Sequence, residues 1–223
     1  MDGLPAGVFV TGTGTEVGKT VVAAVIARTL ASEGGAVAVF KPAVTGLDEG
    51  VEPDHALLRR AAGSNQSDAE IAPYRYGPPA SPHLAAALAG EEIDPGLLRE
   101  AARAAGAGAD ALVCEGVGGF LVPLSPDYLV RDLAVDLGLP VVVAASPGLG
   151  TINHTLLTLE SVRAVGLEAR SVVLTPWPRR PSEVEESNRE TIAALGRAPV
   201  LTLPPLDLAA PGSWPALQAL TPL

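Results

Sequence analysis

The chain has 223 residues, 48% of them hydrophobic, with 24 Gly, 21 Pro and a single cysteine, Cys114. That length suits one domain over 1–223 and would cramp two, and a lone cysteine excludes an intrachain disulfide and fits a reducing cytoplasm. The net charge of −10 and the lack of a basic block argue against nucleic acid as a partner, so a bound polyanion must be held by a local site.

The N-terminus has no basic region followed by a long apolar run, and no uncharged stretch approaches the roughly 20 residues of a membrane span, so neither a signal peptide nor membrane association is expected. Val8 to Val10 is a short apolar run that predicts a buried strand. A loop of glycines and threonines follows and ends in Gly18-Lys19-Thr20, after which Val21, Val22, Val25, Ile26 and Leu30 recur at helical spacing. Strand, glycine-rich loop, GK[ST] and helix is the order of a P-loop. Its amides and the helix N-terminus suit phosphate oxygens, with Lys19 for the β- and γ-phosphates and the Thr20 hydroxyl for Mg²⁺. The spacing departs from the usual pattern, with five residues between Gly12 and Gly18 and three between Gly14 and Gly18. A strand-to-helix turn that binds nothing is the plain alternative, but such a turn has no need of the Lys-Thr pair.

Lys19 and Lys41 are the only lysines in the chain, and both read as lying at the ends of predicted strands. Lys41 follows the apolar run Ala36 to Phe40 and precedes Pro42, which cannot continue a central ladder. That places Lys41 at the carboxyl edge of a sheet, where open α/β folds hold their ligands, although position alone also allows a solvated loop lysine. Asp54 opens a predicted helix running to Gly63, where a simple helix-dipole role is equally open. Residues 64–83 read as a loop-rich crossover, and 84–107 as helical pattern broken at Gly90 and Asp94-Pro95-Gly96. Ala111 to Cys114 predicts a strand running into Glu115-Gly-Val-Gly-Gly119, an acid at a strand tip as in a Walker B arrangement, or else a glycine-rich turn with an exposed Glu. Leu129, Leu133 and Leu137 mark a helix, and Val141 to Ala145 a strand. Gly148-Leu-Gly-Thr-Ile-Asn-His154 opens another helix whose first amides suit a carboxylate or phosphate. Ser171 to Leu174 is a strand, Ser182-Glu-Val-Glu185 a capping box, and Val200 to Leu203 a last short strand. A Pro- and Leu-rich tail follows, with a short helix expected near 215–220. Strands alternating with helices predict an α/β fold, a doubly wound and mainly parallel sheet with a core from about 8 to 203.

Together these pieces resemble the dethiobiotin synthetase family. The resemblance rests on the long-spaced loop with Thr15-Glu16-Val17 before Gly18-Lys19-Thr20, on Lys41-Pro42, Thr45-Gly46, Asp54, Pro73-Tyr74 and Ser81-Pro82-His83, and on the Glu115 and Gly148 motifs. It implies a P-loop ligase that uses ATP and Mg²⁺ to carboxylate 7,8-diaminopelargonic acid with CO₂ or bicarbonate. A carbamate forms, is phosphorylated to a carbamic–phosphoric anhydride, and closes to the urea ring of dethiobiotin. By the same resemblance Lys19, Lys41 and Thr15 are catalytic. Gly14, Thr15, Glu16, Val17, Gly18, Lys19, Thr20 and Val21 hold the nucleotide, with Thr175, Pro176 and Pro204 near its base. Thr20, Asp54 and Glu115 would bind Mg²⁺. Thr45, Glu115, Gly118, Gly150, Thr151 and Asn153 would bind the diamine, its far carboxylate resting across a homodimer interface. Many members of the family carry an Asn where this chain has Thr175, and a hydroxyl cannot read a base edge in the bidentate way of an amide. Alanine at either lysine is expected to abolish most of the activity and leave the fold intact.

Two other classes share part of this pattern. A partitioning or switch ATPase would share Lys19, Thr20 and the strand-tip acid, but would not need Lys41-Pro42, Ser81-Pro82-His83 and the Gly148 turn as one set. Another P-loop amidoligase usually carries an added glutaminase domain, for which this chain leaves no room.

Overall fold

The computed structural model describes residues 4–50 and 52–217. The chain begins with β1 (Ala6–Gly12), a loop, and α1 (Lys19–Ser32), followed by β2 (Val37–Phe40), β3 (Ala43–Val44) and α2 (Asp54–Ala62). Then come α3 (Asp68–Ile71), β4 (Tyr74–Arg75), α4 (Pro82–Leu88) and α5 (Pro95–Gly106). The second half runs β5 (Ala111–Gly119), β6 (Pro123–Ser125), β7 (Tyr128–Leu129), α6 (Val130–Leu137), β8 (Val141–Ala145), α7 (Thr151–Ala164), β9 (Ala169–Leu174), α8 (Glu183–Gly196) and β10 (Val200–Thr202).

The main sheet has six strands in the order β10-β9-β8-β1-β5-β2, every pairing parallel. Near-continuous Val and Ala runs build its central strands because both faces are covered. On one face Val8, Val10, Val39 and Val113 pack against α1 and α2. On the other, Phe9, Phe40, Leu112 and Val143 pack against α4 to α8. Among the described residues no helix is long and apolar enough to cross a membrane.

The crossover 64–83 is more ordered than its composition predicts, since it holds α3, with a Ser67–Glu70 capping box, and the two-residue strand β4 paired with β3. It also covers the open edge of β2. Gln66 Oε1 accepts from Val39 N at 2.9 Å and Gln66 Nε2 donates to Val39 O at 3.1 Å, while Lys41 N donates to Ile71 O. A side-chain amide thus stands in for a neighbouring strand. Lys19 is the first residue of α1, beyond the loop and not at the end of β1 as expected. β5 continues past Cys114: Val10 pairs with Glu115 and Gly12 with Gly119, so residues 116–118 bulge outward beside Glu115. The expected helix near 215–220 lies partly outside the described residues, and 215–217 are not helical.

Candidate active site

The site forms where the carboxyl ends of β1, β2 and β5 meet the start of α1. Gly18 caps α1 with φ +86° and has no side-chain cap, so the first-turn amides are left for an anion. A Cβ at Gly18 would lie 2.5 Å from Thr175 Cγ2, and one at Gly12 would lie 2.7 Å from Val17 Cγ2 and 2.9 Å from Lys19 Cγ. These two glycines therefore answer to close approach as well as to backbone shape. Lys19 folds back across the loop and donates to Gly14 O at 2.8 Å. Burial and the neighbouring charge of Lys41 push the Lys19 ammonium down to about 8.

Lys41 lies 2% exposed between two carboxylates, with Nζ 2.6 Å from Glu115 Oε1 and 2.6 Å from Asp54 Oδ2. Burial opposes its charge, but Glu115 and Asp54 outweigh that and hold it above the usual lysine range. Burial also opposes the Asp54 charge, yet Lys41 and the Thr20 hydroxyl keep this carboxyl below its ordinary value. Glu115 is wholly buried, and that burial holds it above its ordinary value despite Lys41.

Thr20 Oγ1 reaches Asp54 Oδ1 and Glu115 Oε1, each at 2.9 Å. Three oxygens from α1, α2 and β5 thus converge, and Glu115 Oε2 beside them is buried with no hydrogen-bond partner. Hard oxygen donors with an orphaned carboxylate oxygen fit Mg²⁺, which takes few protein ligands and fills its shell with water and phosphate. Among the described residues no group of three or more His, Cys, Asp or Glu could hold a metal, and the site offers two carboxylates beside the Thr20 hydroxyl.

A cavity of about 640 Å³ opens over this cluster. Thr15, Glu16, Gly18, Lys19, Thr20, Val21, Lys41, Thr45, Asp54, Glu115 and Gly118 all line it, as do Ser81 and Pro82. His83, read with that pair, is exposed. Val117, inside the Glu115–Gly119 motif, lines the cavity too, as do Glu49, Glu52, Pro79 and Val122, which no motif singled out. Val17 packs against Gly12, and Gly14 contacts Lys19 through its carbonyl. Pro73 and Tyr74 line a separate shallow groove against α5. Gly150, Thr151 and Asn153 do not line the cavity. They form the N-terminus of α7, beyond β8, and Thr151 is buried. Thr175, Pro176 and Pro204 are also outside it. Thr175 N donates to Ala145 O, its side chain is buried with the methyl against Gly18, and the Thr175–Pro176 bond is cis.

A parallel α/β sheet, a phosphate loop opening α1 and a strand-tip carboxylate define a P-loop nucleotide-binding domain, and a family model described as an AAA domain matches residues 6–211. Among curated proteins the chain is 41% identical over 201 residues to the ATP-dependent dethiobiotin synthetase BioD of Rhodococcus erythropolis (strain PR4), covering 88% of this chain and 87% of that one. It is 42% identical over 199 residues to the protein of the same name from Anaeromyxobacter dehalogenans (strain 2CP-1), covering 89% of each. It is 34% identical over 207 residues to that of Bacillus subtilis (strain 168), covering 89% of this chain and 87% of the relative. The chain belongs to the dethiobiotin synthetase family.

Proposed function

We propose that the chain is an ATP-dependent dethiobiotin synthetase that joins CO₂ to 7,8-diaminopelargonic acid and closes the urea ring, releasing ADP and phosphate. The observation that carries this reading is the Lys41–Asp54–Glu115 cluster, with Lys41 and Glu115 buried, facing the P-loop lysine in one cavity. A nucleotide switch needs Lys19 and Thr20, but it does not need a second, fully desolvated lysine 22 positions further along.

One substrate amine takes up CO₂ as a carbamate. A carbamate oxygen then attacks the γ-phosphorus, and the bond to the ADP oxygen breaks. Two anions must meet for this step, and positive charge at their junction lowers the barrier. Lys19 meets the β- and γ-phosphates and Lys41 meets the carbamate side, where Asp54 and Glu115 keep it protonated. Thr15 and the loop amides hold phosphoryl oxygens. Thr20, Asp54 and Glu115 would hold Mg²⁺, which would add positive charge on the phosphates. The second amine attacks the anhydride carbonyl, the ring closes, and phosphate leaves with the electron pair of the broken C–O bond. Thr45 and Gly118 flank the diamine, and the Gly150–Asn153 turn holds its far carboxylate.

Base selection follows from Thr175. Strong discrimination comes from a buried group left unpaired by the wrong base, and a Thr hydroxyl cannot present the rigid donor and acceptor of an Asn amide. Pro176, Pro178 and Pro204 contribute no N–H.

The test is phosphate release with each of ATP, GTP, CTP and UTP. Turnover is expected to require both diaminopelargonic acid and CO₂, and at least one other nucleotide is expected within roughly tenfold of ATP. Turnover indifferent to the diamine would overturn the ligase reading. A preference for ATP above about a thousandfold over all three others would overturn the reading of Thr175 alone.

A further inference from the structure

We infer that Asn188 is a positioning residue for the second substrate, fixing the segment before α7 so that the Gly150–Asn153 turn holds the far carboxylate of the diamine. This rests on the reading of that turn given above. Asn188 sits in the sixth position of α8, 6% exposed, and its Nδ2 donates to Pro147 O at 2.9 Å and to Gly148 O at 3.1 Å. An amide nitrogen carries two hydrogens, one for each carbonyl. The bond reaches across 40 residues of sequence to a segment that is buried at Pro147 and exposed from Gly148 to Gly150, where the glycines have no side chain and Leu149 is 96% exposed.

The anchor is firm on its own side. The capping box of Ser182 and Glu185 fixes the start of α8. Ile192 is fully buried, and a Cβ at Gly196 would come within 2.9 Å of Leu159 Cδ1, so α8 packs closely on α7. Asn is a poor helix former in a helix interior, and this one spends its side chain on another segment.

The clamp also sets the turn. Gly148 O, held by Asn188, accepts from Thr151 N at 3.3 Å, and Gly150 caps α7 with φ +90° and no side-chain cap. Thr151 N is spent on Gly148 O, and the amides after it are aimed by a backbone whose preceding carbonyls are pinned from α8. Carboxylate at position 188 would keep the shape of the side chain and set an acceptor against both carbonyls.

The experiment compares kcat/KM for diaminopelargonic acid and for the same vicinal diamine without its far carboxylate, in the full-length protein, with wild type, Asn188→Ala and Asn188→Asp. The nucleotide KM and the thermal midpoint serve as fold controls, and Asn188→Ser replaces any variant that does not fold. Wild type is expected to prefer the carboxylate-bearing substrate by at least about tenfold, and the variants to lose most of that preference through a higher diamine KM, with kcat and nucleotide KM within about twofold. A wild type that does not distinguish the two diamines would overturn the carboxylate reading of the turn and this proposal with it. A wild type that does, with variants that distinguish them equally well, would overturn the role of Asn188 and leave the turn as the carboxylate site. An equal fall of kcat for both diamines would also overturn it, because a general loss of structure acts on both alike.

Discussion

Lys41 holds its charge between Glu115 and Asp54, 2.6 Å from each, with almost no contact with water. That burial changes what its removal does. The sequence suggests that Lys41→Ala spares the fold, but taking one partner from a buried ion pair leaves the other uncompensated, at about 3–5 kcal/mol. Glu115 is fully buried, whereas the Asp54 side chain is 41% exposed, so Glu115 bears the loss. Lys41→Ala is therefore expected to lose both activity and stability. Without Lys41, the Glu115 carboxyl moves still further above its ordinary value of 4.5, so above that pH the native state keeps a proton that the unfolded chain releases. Stability then falls as pH rises, and the deficit against wild type should widen once pH passes the already raised Glu115 value of the wild type, as urea titrations at stepped pH would report. A deficit that does not change with pH would mean that Glu115 is not the stranded group. Lys19 donates to a backbone carbonyl and holds no buried carboxylate, so Lys19→Ala should cost little stability while removing on the order of 3 kcal/mol of transition-state stabilisation. Asp54→Ala and Glu115→Ala should raise the Mg²⁺ midpoint of activity more than the diamine KM, because hard-cation ligands act through the metal and the phosphates. If both midpoints stay where they are, the metal assignment fails.

At the scale of elements, the tail after β10 binds α1 and α2 together. Trp214 and Leu217 are buried in the same cluster as Val22, Val25 and Leu58, Leu217 N donates to Thr29 Oγ1 at 3.2 Å, and Arg60 on α2 donates to Leu208 O at 2.6 Å. Since α1 carries Lys19 and Thr20 and α2 carries Asp54, the tail braces both helices that build the site. Trp214→Ala should lower stability by about 2–4 kcal/mol, just below the usual range for a core aromatic because the ring is 9% exposed, and a shift in urea midpoint measures it. No shift would show that the tail only rests on the surface. None of this bracing is legible in sequence, where a Pro- and Leu-rich tail has no period. Long elements are legible because their signals are local: the Ser182–Glu185 box starts α8, Asp94-Pro95 starts α5, and the Val and Ala runs give β1 and β8. The short pairs β3–β4 and β6–β7 are too brief to show alternation. β5 runs on through glycines that read as a turn because its bulge, not its side chains, sets its length. In the site, Lys19, Thr20, Lys41, Asp54 and Glu115 are legible from their places beside strand ends and helix starts. Gln66 and Asn188 are not, since each works by bonding to the backbone of a distant segment.

At the scale of the whole molecule, the chain separates residues that its chemistry needs together. The phosphate loop, Lys41 and Glu115 share one cavity, yet Gly150, Thr151 and Asn153 lie outside it at the start of α7. On the reading proposed above, in which this turn holds the far carboxylate, a second copy that brings its own turn to the mouth of this cavity would unite the two. The surface around α7 agrees. Among the described residues, Leu149, the most exposed of the large apolar side chains at 96%, and Leu157 at 56% lie on α7 or the loop before it, and Val184 and Leu195 on α8, while Leu88, Leu97 and Leu121 are exposed elsewhere. Exposed large apolar side chains gathered on neighbouring elements mark an interaction surface more often than chance placement does. Two-fold symmetry uses one patch on both partners and so gives two complete sites from one interface. The protein is therefore expected to be a homodimer, with each cavity completed by the partner. Leu157→Glu should disrupt it, since a charge placed in an apolar interface is left unpaired. Light scattering reports the mass, and activity should fall with dilution as dimer is lost, through a rising diamine KM while the nucleotide KM holds. A monomer that stays fully active at nanomolar concentration would show that one chain binds the diamine by itself, and the far carboxylate would then have to be held by groups lining the cavity, with Thr45 and the Ser81-Pro82 wall the first to replace.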